Sequence, residues 1–320
     1  MSKKISKLLF WSTAVLGSMT LYNIKVKNEA GKITSYSPYN TNIYSGKFGN
    51  ISYIKEGEGS PVLLIHNLSS GDSNYEWNKI IEGLSLSHTV YAIDLPGCGK
   101  SEKTHIEYTN YMYALSINDF IKNVIIKIPL TDLYKSVEII ASGKSSSIVI
   151  SSVSLESNLY SRIILVNPVS FSSTMDSGNK LISKLARSLF NLPIIGTFLY
   201  NLLYSKRKIY DLFSSITNAD IDENEKSQLE NTYYHNSHNQ KGSKFIFTST
   251  IGGLLCIDQT RMYNKLTTPI TLIFGENKKD IEDIYNEYAD NKEGITKKII
   301  SSSNCIPHIE NPLEFIEAVK

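Results

Sequence analysis

The sequence predicts an α/β fold, a doubly wound and mostly parallel sheet with a helical cap insertion. Two observations carry this. From Phe48 onward, short apolar runs of strand length alternate with segments of helical periodicity. That rhythm stops between Pro168 and about Lys265, where helix-like stretches follow one another. A run that is apolar at every position suits a strand buried on both faces, and strands alternating with helices build a parallel sheet covered on both sides. The 320 residues, 41% hydrophobic and 20% charged, suffice for such a core and exclude wholesale disorder.

The elements follow in order. Lys3, Lys4 and Lys7 precede Leu8 to Ile24, 17 residues without a charge. That length is at the short end of a membrane span. An uncleaved anchor, a secretory signal peptide and a packed or interfacial helix all fit this pattern. Residues 1–24 are read first as a membrane anchor or signal segment. With Lys25 and Lys27 following, the positive-inside lean places the domain outside the cytoplasm, membrane-anchored, or secreted if the segment is cleaved. Residues 25–47, polar and rich in Asn, Ser and Tyr, read as a linker. Strands are expected at Gly49–Gly57, Pro61–Asn67, Thr89–Leu95, Val137–Ser142, Arg162–Pro168, Ile270–Glu276 and Lys297–Ser303. Helices are expected at 74–86, 108–127, 144–156, 279–289 and 312–319. The core is therefore assigned to 48–169 and 266–320, and the cap to 170–265. Within the cap, Leu181–Leu189 and Ile195–Tyr210 have helical patterns, the latter apolar, aromatic and basic at its end. It is read as a helix packed on the core, with contact to a membrane surface as the alternative. Asn218–Lys241 is polar and rich in Asn.

Composition narrows the function. A net charge of +2 gives no electrostatic case for nucleic acid. Three scattered cysteines (Cys98, Cys256, Cys305) make neither a disulfide framework nor a zinc site. His235 and His238 stand three apart without a partner carboxylate or thiol pattern and read as solvated, so no metal and no cofactor is expected. The triplets Gly99-Lys100-Ser101 and Gly143-Lys144-Ser145 are not phosphate loops. The glycine such a loop needs five residues upstream is Asp94 in one and Glu138 in the other, and a carboxylate there repels phosphate.

Four blocks, HNLSSGDSNYEW, YAIDLPGCGKSEK, IIASGKSSS and NCIPHIENPLEF, closely resemble the α/β-hydrolase superfamily in order and spacing, from about Phe48 to Lys320 with most of the cap excluded. The resemblance implies an active site of nucleophile, acid and histidine on loops at the strand ends. In the nucleophile motif, G-x-S-x-G, the segment Ala141-Ser142-Gly143-Lys144-Ser145 puts Gly143 at the centre; a shifted register puts Ser145 there. Pro168 lies 25 residues past Gly143, the spacing relatives show, and this favours Gly143. The histidine position of G-H-x-P-H-x-E-x-P is Cys305, with the second histidine kept as His308. The acid position after ITLIFGE is Lys278, 27 residues before Cys305, with Asp280 two residues on. The oxyanion donors implied are the backbone amides of Leu68 and Lys144, although the family's His-Gly is here His66-Asn67. Asp94 resembles the structural aspartate of the following turn.

All three catalytic positions are thus changed in register, and a triad acts as a unit. The sequence points to a membrane-tethered, catalytically inactive member of the fold that binds a small-molecule ligand or a protein. The alternative is an active ester- or amide-type hydrolase with a rebuilt site. That site would use Ser142 or Ser145 as nucleophile, His308 as base and Asp280 or Asp283 as acid, or Cys305 as a thiol nucleophile.

Overall fold

The computed structural model describes every residue except 1, 34–36, 127–135, 176–177, 219, 241, 291 and 293; the side chains of residues 2–6, 8 and 9 are also outside the described set. Lys3 and Lys4, part of the 34–36 stretch of the expected linker, Lys127 and Lys241 therefore fall outside it. Eight strands form one sheet: β1 (Asn42–Gly46), β2 (Gly49–Glu56), β3 (Ser60–Ile65), β4 (His88–Ile93), β5 (Val137–Ser142), β6 (Tyr160–Val166), β7 (Ile270–Gly275) and β8 (Thr296–Ile300). Their order is β1-β2-β4-β3-β5-β6-β7-β8. β1 and β2 pair antiparallel to their neighbours, and β3 through β8 run parallel.

Alternate side chains of the parallel strands face opposite layers, as the strand period of two requires. Leu63 and Ile65 face a core that includes Ile117, Phe120 and Val149. Val62 and Leu64 face a second core built on Trp77, Ile80, Leu84 and Phe315. Each such side chain is fully buried and stabilises the fold by about 1.5–3 kcal/mol. The first layer is covered by α3 (Asn110–Phe120) and α4 (Ser145–Leu155). The second is covered by α2 (Asn78–Ser85), at its start preceded by a 3-10 turn over Asn74–Trp77, and by α14 (Pro312–Val319). Thr109 caps α3 by accepting from the Met112 amide at 3.1 Å.

Between β6 and β7 every regular element among the described residues is a helix: α5 (Phe171–Met175), α6 (Lys180–Asn191), α7 (Ile195–Leu203), α8 (Lys206–Ile216), α9 (Glu223–His238), α10 (Lys244–Ile251) and α11 (Thr260–Asn264). The single helix expected over Ile195–Tyr210 is two, because Ser205 is extended (ψ 153°) and breaks the turn. The remaining helices are α12 (Ile281–Ala289) and α13 (Pro307–Glu310).

The N-terminus departs most from expectation. Ser2–Gly31 is one helix, α1, that runs into the residues assigned to a linker as far as Gly31, and β1 takes Asn42–Gly46 of that linker. Among the described residues no helix is long and apolar enough to cross a membrane. Its outer part exposes Phe10 and Trp11. Its inner part docks on the cap: Val26 and Ala30 are buried, Asn23 Nδ2 donates to the Ile194 carbonyl at 3.1 Å, and Tyr22 meets Phe198 edge to face. His235 is held by the Ala30 carbonyl at 2.8 Å and His238 is buried, which corrects their reading as solvated.

Candidate active-site remnant

The strand register sets the site. Ile65 pairs with Ala141, Ser142 with Val166, and Val166 with Ile273, so the loops leaving β3, β5, β6 and β7 emerge side by side. β4 and β5 flank β3 on opposite sides, and a parallel sheet opens a crevice where its chain order reverses. His66 braces this edge. Its Nε2 accepts from the Leu95 amide at 3.0 Å and its Nδ1 faces the Asn67 carbonyl; burial keeps the ring neutral by lowering its pKa. Asp94 ties the next turn by accepting from the Asn74 and Lys100 amides at 2.7 and 2.8 Å.

Gly143 joins β5 to α4 with φ +52°, a backbone region that glycine enters without the Cβ penalty. Asn67 lies against it. The Asn67 Oδ1 accepts from the Lys144 amide at 3.0 Å, and its Nδ2 donates to Asp72 at 2.9 Å. A Cβ on Gly143 would sit 2.4 Å from that same Oδ1. The carboxamide of Asn67 therefore fills the space where a side chain at 143 would begin, and it already occupies the Lys144 donor.

Behind Asn67 stands Glu76. Its carboxylate accepts from the Asn67 amide at 2.7 Å and lies 3.1 Å from His308 Nε2. The Ser142 hydroxyl lies close enough to favour its charged form. Burial raises the Glu76 pKa, but His308, Ser142 and the Asn67 amide outweigh burial and hold it below the usual carboxylate range. His308 is fully buried between Trp77 and Phe315.

Asp72 behaves in the opposite way. Burial, reinforced by repulsion from Glu76, pushes its carboxyl up to about 7 against the pull of Ser69, Lys144 and Asn67. The folded chain thus keeps a proton that the unfolded chain releases near 3.8. The penalty is absent below the unfolded value and grows to its full size above about pH 7. Asp72→Asn is expected to stabilise the protein at pH 8 by up to about 4 kcal/mol and to be nearly neutral at pH 4. Thermal unfolding of both proteins across that range checks it; a difference independent of pH would show that Asp72 ionises freely.

These groups floor a cavity of about 330 Å³ roofed by Phe213 and Ile216 of α8 and Leu229 and Tyr233 of α9. Of the residues singled out in the sequence, Ser142, Gly143, Lys144, Lys278 and Cys305 line it together. Leu68, Ser145, Asp280, Asp283 and His308 are not among the lining residues. Ser145 donates to the His66 carbonyl at 2.6 Å and is fully buried. Asp280 is committed to an ion pair with Lys278. Burial raises the Cys305 pKa despite the nearby Lys278, the reverse of what a thiolate nucleophile needs. Asn67 was noted only as the departure from the family's His-Gly. Asp72 and Glu76 were not singled out, and their only signal is that they share its loop within the first family-like block.

No family model matches the chain. A 71-residue stretch is 39% identical to a 2-hydroxy-6-oxo-6-(2'-aminophenyl)hexa-2,4-dienoic acid hydrolase of Metapseudomonas resinovorans. A 72-residue stretch is 32% identical to a soluble epoxide hydrolase of a Corynebacterium species. Each match covers 22% of this chain and 24% of the relative, so the chain spans about a quarter of the length of these curated relatives. Among solved structures, a serine hydrolase involved in carbazole degradation superposes with a TM-score of 0.69 at 21% identity, over 88% of this chain and 97% of its own. A membrane phospholipase A superposes at 0.67 and 14% identity, over 100% and 97%. An α/β hydrolase from Nostoc superposes at 0.67 and 15% identity, over 88% and 97%. With its strand order and these likenesses, the chain has the α/β-hydrolase fold.

Proposed function

We propose that this protein is a ligand-binding, catalytically silent member of its fold. One observation carries the reading: the Asn67 carboxamide occupies both the space above Gly143 and the Lys144 amide. A serine-type nucleophile at 143 and a free oxyanion donor at 144 are the two features on which acyl transfer at this turn depends, and one side chain displaces both. What persists is a cavity with a polar floor, which includes Lys144 and Lys278, under an apolar roof. Such a shape suits a small ligand with a polar head and an apolar body. The Asp72 proton offers that head a hydrogen-bond donor near neutral pH.

The second reading is a rebuilt hydrolase, favoured by the chain of contacts from Ser142 through Glu76 to His308. Against it stand the lowered Glu76 pKa, which makes a weak base, and the near-complete burial of Ser142. Intact-mass analysis after exposure to a fluorophosphonate, and separately to iodoacetamide, separates the two. The expected outcome is no phosphonyl adduct and only slow alkylation of Cys305. A stoichiometric phosphonyl adduct mapped to Ser142 would overturn the silent reading.

A further inference from the structure

A second and larger cavity, about 600 Å³, lies between α1, α7, the α9–α10 corner and the turn at Lys103–His105, and shares no lining residue with the first. Its polar lining is one-sided. Lys103 and Lys244 are both more than nine-tenths buried, and no carboxylate stands among the described lining residues. Lys103 Nζ donates to the Asn236 carbonyl at 2.5 Å and to Ser243 at 3.3 Å. Lys244 Nζ donates to the Leu192 carbonyl at 2.9 Å, to Thr197 at 3.1 Å and to the Asn191 carbonyl at 3.5 Å. Neutral oxygens satisfy the hydrogen bonds, and among the described residues no carboxylate forms an ion pair with either ammonium; Asp94 acts on Lys103 only from a distance. Buried ammonium groups are costly when unpaired, and burial lowers both to about 8.

His238 adds an independent sign of a ligand. It is 6% exposed and lines the same cavity. Its Nδ1 meets the Tyr234 carbonyl at 2.9 Å, so Nδ1 carries the hydrogen and Nε2 is a bare acceptor. Burial lowers the ring to about 4, so it stays neutral, and Nε2 has no partner. Buried acceptors are normally satisfied. The opposite wall is apolar, with Ile24, Ile194 and Phe245.

We propose that this cavity binds an amphiphile whose head is an oxyacid anion carrying or adjoining a hydroxyl. The anion would lie against Lys103 and Lys244, the hydroxyl would donate to His238 Nε2, and the hydrocarbon body would cover the apolar wall. An alkyl phosphate monoanion and a 2-hydroxy carboxylate both have this chemistry. The site is separate from the remnant described above, so it stands or falls independently of the proposed function.

The test is titration calorimetry of the full chain with dodecyl phosphate and with 2-hydroxydodecanoate, each below its micelle concentration. Saturable one-to-one binding of at least one is expected, and the arm that binds more tightly names the head group. Dodecyltrimethylammonium should not bind. Lys103→Met and Lys244→Met should each weaken binding about tenfold or more, and His238→Phe about fivefold. Thr20→Trp, which fills the mouth from α1 and leaves both lysines in place, should also abolish it. Lys278→Met, in the other cavity, should leave it unchanged. Circular dichroism confirms that each variant is folded. Absence of binding, equal binding of the cationic detergent, or loss only in Lys278→Met would overturn the proposal.

Discussion

Replacing Glu76 with alanine is expected to lower the unfolding free energy by about 1–3 kcal/mol, as leaving buried polar groups without their acceptor does. The Asn67 amide loses its acceptor, and the His308 ring and the Ser142 hydroxyl lose the carboxylate beside them. Glu76→Gln keeps an acceptor for the amide and should cost less. The pH dependence has a definite sign. The folded pKa of Glu76 is depressed, so its stabilisation is fully present above the unfolded carboxylate range and is lost as pH falls through the folded value. Urea unfolding of the two proteins should therefore show a gap that narrows in acid. A loss below about 1 kcal/mol at neutral pH would mean that Glu76 is effectively hydrated and that the pair contributes little.

Gly143→Ser is the second large effect, expected at about 2–4 kcal/mol. A non-glycine residue at φ +52° is strained, and the new Cβ overlaps Asn67 Oδ1. The two parts separate in a double-mutant cycle. The Cβ of Asn67 lies 3.6 Å from the same point, an ordinary contact, so Asn67→Ala removes the overlap and leaves the strain. Gly143→Ser should then cost about 1–3 kcal/mol less in the Asn67→Ala background than alone. Additive effects would show that Asn67 swings aside freely. The same geometry governs any attempt to restore esterase chemistry. Gly143→Ser with Cys305→His and Lys278→Asp should stay inactive until Asn67→Ala is added, because only the fourth change frees the Lys144 amide.

Much of the core was legible because its signals are local. Val137–Ser142 is a strand with those ends, and the turn after it falls on Gly143. The helix of residues 312–319 likewise matches its pattern. What was hidden depends on distance along the chain. Asn67 meets Lys144 across 77 positions, and Glu76 meets His308 across more than 200; no periodicity encodes either contact. α9 was read as a polar stretch because its inward face is built from Thr232, Asn236, Ser237 and His238 beside two tyrosines, so its helical period carries little hydrophobic contrast. β1 was taken for linker because an edge strand exposed on one side needs few apolar residues.

The docking of α1 changes what counts as the folded unit. A helix that begins with charge and apolar residues invites removal when a soluble protein is wanted. Yet Thr20, Asn23, Ile24 and Lys27 form one side of the larger cavity, and Val26 and Ala30 cover the cap. A chain trimmed at Gly31 would strip one wall from that half-open cavity and wet the faces of α7 and α9. Ligand screens run on the trimmed protein would then return negatives that belong to the cut rather than to the molecule.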